Sequence, residues 1–402
     1  MSEATGPLKG LKVFDLTRVL AGPTCVQMLA DLGADVIKIE KPGAGDDTRG
    51  FAPPFMPGTK ESAYFVGVNR NKRSVTLDIA QKEGQAIALK LIAQSDILAE
   101  NFKVGALAKY GLGYAQLKER FPGLIYCSIT GFGQTGPYAS RPGYDSLIQA
   151  MGGVMSLTGD PDGAPQKVGV PLADLFAGLY GCIGILAALR HREATGRGQQ
   201  IDIGLYEPIF RILDEMAPAY DKVGFIRQRM GAAAPNVCPH SHYQTGDGRW
   251  IAIACTNDKI FARMARLAGR PEVAGDGIYG TIAQREKQRP AVDGLVADWA
   301  KKHTQHEAVQ LCDAAEVPCG IVASVDEIFL DPHYAARGNI ARVSDPRAGD
   351  LAVPNVVPRL TGTPGGIDTL GPGLGQHNAE IYGGLLGMTA TDLRSLEAEG
   401  VI

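Results

Sequence analysis

Hydrophobic positions recur along this chain in two rhythms, and the switches between them mark its elements. "LKVFDLT" (11–17) is an apolar run of strand length. "TCVQMLADLGA" (24–34) then sets its apolar residues at helical spacing, and "DVIKIE" (35–40) returns to a strand. Pro23 stands where the helix would begin, and Gly33 closes it. The exchange continues downstream. "SVTLDI" (74–79), "DILAEN" (96–101), "LIYCSITGFG" (124–133) and "QQIDIGLYE" (199–207) read as strands, with helical stretches such as "KEGQAIALKLIAQS" (82–95) between them. Strands alternating with helices predict an α/β domain built on a parallel, Rossmann-like sheet.

The longest apolar stretch is a predicted helix over 172–192. Its glycines, Gly178, Gly181 and Gly184, recur every third residue and would let it pack closely against strands. A single acid, Asp174, opens a run of fifteen uncharged residues, Leu175 to Leu189. Two readings fit it. Asp is a favoured helix N-cap, and Pro171 just upstream suits a helix entry. Alternatively, a carboxylate at an apolar helix mouth is poorly solvated and could serve as nucleophile or base.

After about residue 206 the pattern changes. "HYQTGDGRWIAIACTND" (242–258) reads as a hairpin turning at Gly246-Asp247-Gly248, with helical segments from Asp258 to about His306. This predicts a second, smaller α+β domain. Residues 340–373 are rich in Pro and Gly and read as an extended return path. A last helix is predicted from Thr391 to Glu399.

Length agrees with two domains, because 402 residues exceed what one core usually serves. The chain is 45% hydrophobic and 21% charged, with a net charge of −3, which gives no support for nucleic acid or an anionic membrane as partner. The Leu175–Leu189 run is short for a bilayer span, and no apolar run behind a basic N-terminus resembles a signal peptide. Cys25, Cys127, Cys182, Cys238, Cys255, Cys312 and Cys319 are odd in number and form no C-x-x-C pair. They read as free thiols, and the chain as cytosolic. His240 and His242 lie close together without an acidic companion, so no metal is expected.

The opening β-α-β unit invites a dinucleotide reading, with Glu40 where a ribose-binding acid would stand. The first turn, "TRVLAGP" (17–23), lacks G-x-G-x-x-G, however, and so lacks the backbone approach a pyrophosphate needs. "NRNKRSVTLD" (69–78) reads either as a solvated basic turn or as a phosphate clasp made by Arg70, Lys72 and Arg73.

The segments in their order resemble one family over nearly the whole chain. They are "GLKVFDLTRVLAGPTCVQMLADLGADVIKIEKPGAGDDTRG", "NKRSVTLDI", "ENFKVGALAKYGLGY", "SITGFGQTGPYASRPGYD", "GVPLADLFAGLYGCIGILAALRHREATGRGQQIDIGLYE" and "GLGQHNAEIYGGLLG". They resemble the class III CoA-transferases, the formyl-CoA transferase and carnitine CoA-transferase group. "ENFKVGALAKYGLGY" and the "GYD" segment look closest to the branch that moves CoA from succinyl-CoA to short dicarboxylates. The resemblance implies that Asp174 is the catalytic aspartate, passing through aspartyl anhydride and aspartyl-CoA thioester intermediates. It implies no permanently bound cofactor, coenzyme A and acyl-CoA being substrates.

The resemblance also implies contacts to CoA. Leu20 and Ala21 would lie beside the thioester, Lys41 at the nucleotide, and Leu77 at the adenine. Asn101, Phe102 and Lys103 would touch pantetheine and phosphates. Arg141, Gly143, Tyr144 and Asp145 would close the site near the thioester. Lys41 and Lys109 stand where relatives carry Arg, which keeps the charge and loses the planar fork. The glycine-rich loop of formyl-CoA transferase is absent. "GAAAPNVCPHSHYQTGDG" (231–248) replaces it, either lining the acyl pocket through Cys238 and His240 or forming a plain linker. For the second carboxylate of a dicarboxylate, Arg18, Arg49 and His240 are the candidate partners.

The implied architecture is an interlocked homodimer. A large domain spans 1–195 and is completed by 351–402. Linkers at 196–224 and 331–350 flank a small domain at 225–330. Two rival functions remain at this stage. An α-methylacyl-CoA racemase would share the fold and the acid, but it uses a His in "GHD" where this chain has Tyr144, and a tyrosine hydroxyl ionises only near ~10. A non-catalytic CoA-binding protein would not need Asp174.

Overall fold

The computed structural model describes residues 6–56 and 61–402. They divide into two compact units. The larger comprises residues up to Val154, Val168–Glu215 and His333–Ile402. Up to Arg211 the chain runs β1 (Lys12–Asp15), α1 (Ala21–Asp31), β2 (Asp35–Glu40), α2 (Ala63–Val68), β3 (Lys72–Thr76), α3 (Lys82–Ile92), β4 (Ile97–Glu100), α4 (Tyr114–Arg120), β5 (Ile125–Thr130), α5 (Asp145–Met151), α6 (Val154–Leu157, all but its first residue in the smaller unit), α7 (Leu172–Thr195), β6 (Gln200–Gly204) and α8 (Tyr206–Arg211). The six strands pair in the order β3-β2-β1-β4-β5-β6, all parallel. This is the Rossmann-like sheet the alternation predicts. Strands β4 and β5 are buried along their whole length, as a sheet covered on both faces requires.

Two cores lie on opposite faces of the sheet. Helices α1 and α7 cover one, meeting Val13, Ile97, Ile125 and Ile129. Helices α3 and α4 cover the other with the chain's last residues, where Val401 and Ile402 are buried. Helix α7 runs 24 residues, well beyond the uncharged run. By length and composition alone it would reach across a bilayer, which corrects the expectation drawn from Leu175–Leu189. Nearly half of its apolar stretch is buried inside the protein, however. Its glycines make that burial possible. A Cβ on Gly178 would stand 2.8 Å from the Ala21 carbonyl oxygen, and one on Gly181 2.9 Å from Cys25 Sγ, both on α1. Only Gly184 packs solely on a strand residue, Ile201.

Three further boundaries differ from expectation. Helix α1 starts at Ala21, so Pro23 occupies its third position; proline is tolerated there because the first-turn N–H groups have no helical partner. Residues 340–354 are not an extended path. They form an antiparallel hairpin, Ile340–Asp345 with Gly349–Pro354, and the Asp345 carboxylate takes the N–H groups of Arg347 and Ala348 in its turn. The C-terminal helix, Ala390–Ala398, is capped by Thr389, which accepts the N–H of Asp392 at 3.2 Å.

The smaller unit comprises Met155–Lys167 and Met216–Pro332. Its sheet pairs His240–Gln244 with Trp250–Ala254, the hairpin expected from the sequence, and adds Cys319–Ile321 as a third strand. Helices Asp258–Leu267, Arg289–Ala300 and Gln305–Ala314 supply its core residues Phe261, Met264, Val296, Trp299 and Ala308. All seven cysteines of the chain are free thiols, and all but Cys319 are buried.

Candidate active site

In the order β3-β2-β1-β4-β5-β6 the succession of strands reverses between β1 and β4, and a ligand cleft is expected at the carboxyl ends of those strands. Two cavities open there, of about 320 and 420 Å3. Arg18, Asp47 and Phe102 border both, so they form one elongated cleft. The first holds Leu20, Ala21, Asn101, Lys103, Arg141, Tyr144 and Asp174. The second holds Lys41, Leu77, Ile79 and Tyr110 beside Glu40.

The turn after β1 is fixed from below by buried charges. Asp15 Oδ1 accepts the Thr17 N–H at 2.8 Å, and Lys38 Nζ donates to the Thr17 carbonyl at 2.8 Å. Asn101 Oδ1 accepts the Arg18 N–H at 2.8 Å, while its Nδ2 donates to the Arg18 carbonyl at 2.7 Å. Asp46 Oδ1 accepts the Val19 N–H at 3.2 Å, and its other oxygen takes Lys38 Nζ at 2.9 Å, with both side chains fully buried. The turn needs this clamp. Val19 sits at φ +69°, a left-handed conformation that a β-branched residue adopts only under strain, at a cost of ~1–3 kcal/mol. Burial opposes the Lys38 ammonium, but Asp15, Asp46 and Glu40 outweigh it and hold its pKa above the ordinary lysine value. The following residues open α1, whose N-cap, Leu20, offers no side-chain acceptor to the first N–H groups.

Asp174 faces this turn across the same cavity, and it is not the N-cap of α7. Pro171 holds that place, and Asp174 is the third residue of the first turn. Asp145 does the capping instead. Its Oδ1 accepts the Ala173 N–H at 2.8 Å, and its Oδ2 accepts Gln149 Nε2 at 2.8 Å. The Asp174 carboxylate is therefore not spent on its own helix. Burial in the cleft, with the Asp145 charge adding to it, pushes its pKa up to about 7. Gly178, one turn further along α7, lets that helix touch α1 at Ala21 and brings the two helix mouths together.

Within the larger unit, Arg49 and Lys109 do not border the cleft. Arg49 binds Glu40 through Nε at 2.8 Å and Nη2 at 2.6 Å, with Phe65 stacked 3.7 Å beneath it. His240 begins a strand of the smaller unit. Lys109 is exposed on a short 3-10 turn and borders neither cavity. The basic segment is neither a solvated turn nor a phosphate clasp. Arg70 pairs with Asp31 at 2.6 Å, Lys72 with Asp15 at 3.1 Å, and Arg73 with Asp35 and Glu380.

Other residues enter that sequence reasoning missed. Lys38 and Asp46 carry the clamp. Thr130, at the end of β5, borders the first cavity, and its enclosed hydroxyl has no hydrogen-bond partner among the described residues. Tyr64 on α2 has its hydroxyl pushed up to about 12 by burial and by the charges of Asp174, Asp145 and Asp46. A tyrosine in an apolar helix more than a hundred positions before Asp174 leaves no mark in the sequence.

Comparison with known proteins agrees with this geometry. The model of the family described as CoA-transferase family III matches residues 8–378. The chain is 44% identical over 401 residues to the succinyl-CoA–L-malate CoA-transferase beta subunit of Chloroflexus aurantiacus, covering 99% of this chain and 98% of that one. It is 41% identical over 381 residues to the succinate–glutarate CoA-transferase of Agrobacterium fabrum, covering 93% and 94% respectively. Its fold matches a CAIB/BAIF family protein from Brucella suis with a TM-score of 0.87 at 42% identity, over 95% of this chain and 100% of that one.

Proposed function

The chain belongs to CoA-transferase family III, and from that premise we propose that it moves CoA from succinyl-CoA to a short dicarboxylate, with Asp174 as the covalent carrier. The observation that carries the assignment is the placement of Asp174, which is half-buried, not engaged in capping its helix, and set in the cavity that the Val19–Ala21 turn also borders. Retaining thioester energy between two acids requires an enzyme group that can itself become an activated acyl, and a carboxylate can.

The cycle balances as follows. An Asp174 oxygen attacks the donor thioester carbonyl, forming a mixed anhydride and releasing CoA thiolate. The thiolate attacks the aspartyl carbonyl, giving aspartyl-CoA thioester and freeing the donor acid. The acceptor carboxylate displaces CoA through a second anhydride, and the thiolate takes the acceptor acyl group, restoring Asp174. Oxyanions formed at these carbonyls would meet the uncapped N–H groups that open α1, next to Leu20 and Ala21.

For CoA itself, the cleft offers Lys41 and Leu77 to the nucleotide end and Asn101, Phe102 and Lys103 to the pantetheine. The substrates are drawn from the relatives, whose names pair succinyl-CoA with L-malate and succinate with glutarate. We also place a second copy of the chain over α7. Leu175, Leu179, Ile183 and Leu186 recur on one face of that helix and are exposed in the single chain, the pattern of an interface. This favours the interlocked homodimer the family resemblance implies.

Trapping tests the carrier directly. Protein incubated with succinyl-CoA and then hydroxylamine or borohydride should be modified on one peptide, that containing Asp174. Unchanged turnover in Asp174→Ala would overturn the mechanism.

A further inference from the structure

We propose that Arg141 receives the remote carboxylate of the acyl group and so sets a preference for dicarboxylates. This rests on the reading of the cleft as the transferase site. A dicarboxylate bound for reaction at Asp174 keeps its second carboxylate ionised, and that charge needs a partner in a partly desolvated cavity.

The cations bordering the first cavity are Arg18, Lys103 and Arg141. Arg18 stacks on Phe102 at 4.9 Å and lies 3.9 Å from Asp47, at the junction with the second cavity. Lys103 follows Phe102, which borders both cavities, and is assigned to the CoA chain. Arg141 lies four residues before Asp145, which bonds the first turn of α7 just ahead of Asp174. Among the described residues no carboxylate pairs with it. Its guanidinium rests on the Tyr138 ring at 4.0 Å, and its backbone N–H donates to the Tyr138 carbonyl at 2.8 Å. Tyr138 in turn packs edge-on against buried Phe132. A stacked guanidinium keeps its planar fork of N–H donors available, the geometry that matches a carboxylate.

Thr130 borders the same cavity, with its hydroxyl enclosed and without a partner among the described residues. The backbone brings it to Arg141: an added Cβ on Gly131 would stand 2.6 Å from the Gly143 Cα, so the chain segments carrying Thr130 and Arg141 cross in contact. Neither segment could make that approach with a side chain at the crossing.

The experiment compares acceptors of equal length. In a double-displacement cycle, kcat/KM for the acceptor does not depend on the donor, so succinyl-CoA serves throughout while glutarate and valerate are varied. Arg141→Met should lower kcat/KM for glutarate by ~10- to 100-fold more than kcat/KM for valerate. Arg141→Lys should recover part of the preference. Equal losses for both acids, no loss for either, or a matching loss of affinity for free CoA would overturn the assignment. A wild-type enzyme that does not distinguish glutarate from valerate would instead remove the dicarboxylate reading itself.

Discussion

Asp145 accepts the backbone N–H of Ala173 at 2.8 Å, and so its charge stands at the same helix mouth as the carboxylate of the next residue, Asp174. One acid caps the helix, and the other is left free to react. Their repulsion adds to burial in lifting the Asp174 pKa to about 7.

The nucleophile must be ionised, so kcat should rise with pH and level off above about 7. Glu100, buried nearby in β4, is also pushed up to about 7, so the inflection alone does not identify the group. Asp145→Asn separates them. Its amide oxygen can still accept the Ala173 N–H, but the like charge is gone. The inflection should move to lower pH by about half a unit to one unit, with burial keeping the rest of the shift. A pH–rate profile of the variant that overlays the wild type would contradict the assignment of the inflection to Asp174.

The same shift makes Asp174 a liability for stability. Its ordinary pKa is 3.8 and its folded value about 7, so the folded state binds the extra proton between those pH values. Stability contributed at this site is therefore lost as pH rises from about 4 to 7 and stays lost above that. Asp174→Asn should be inactive yet more stable than wild type by ~1–3 kcal/mol at pH 8, after allowance for solvent screening. The advantage should vanish near pH 4. Denaturant unfolding at both pH values measures it, and taking the difference between the two proteins cancels the parallel contribution of Glu100.

Gly178 should tie packing to activity. An added Cβ would stand 2.8 Å from the Ala21 carbonyl, a backbone atom of the turn that faces Asp174. Gly178→Ala should cost ~1–3 kcal/mol and lower kcat by forcing α1 and α7 apart. Gly184→Ala is the control. Its Cβ meets only the Ile201 side chain, at 3.0 Å, and that side chain can move. Thermal melts and kcat should separate the two variants; similar kcat values in both would argue against the close approach as a catalytic requirement.

What the sequence disclosed follows physical range. Strand and helix periods are local, and they are enough to place the sheet and the reversal between β1 and β4. Asp174 was legible through its apolar surroundings and the family pattern. Its relation to its helix was not, because the cap comes from Asp145, 28 residues earlier. The basic segment misled for the same reason. The partners of Arg70, Lys72 and Arg73 are Asp31, Asp15 and Asp35, nearly 40 or more positions away on neighbouring strands and helices. The 340–354 hairpin was hidden by its Pro and Gly content, although Asp345 fixes its turn through the N–H of Arg347. Thr389 and Thr391 are two plausible caps two residues apart, and only the bond to Asp392 decides between them.

The clamp beneath Val19 gives the last prediction. Val19 is strained at φ +69°, a conformation glycine adopts freely. Val19→Gly should release ~1–3 kcal/mol of strain and lose ~0.5–1 kcal/mol to unfolded-state entropy, for a net gain of about 1 kcal/mol. Lys38→Met acts oppositely. It leaves buried Asp46 without its cation and the Thr17 carbonyl without its donor, which should cost ~3–5 kcal/mol. If the pair serves to hold the strained turn, the two changes should not add. Replacing Lys38 should cost about 1 kcal/mol less once Val19→Gly has already relaxed the turn. Urea unfolding of the wild type, both single variants and the double variant closes that cycle. Strict additivity would mean that the Lys38–Asp46 pair and the Val19 conformation are independent, and that the turn keeps its shape for some other reason.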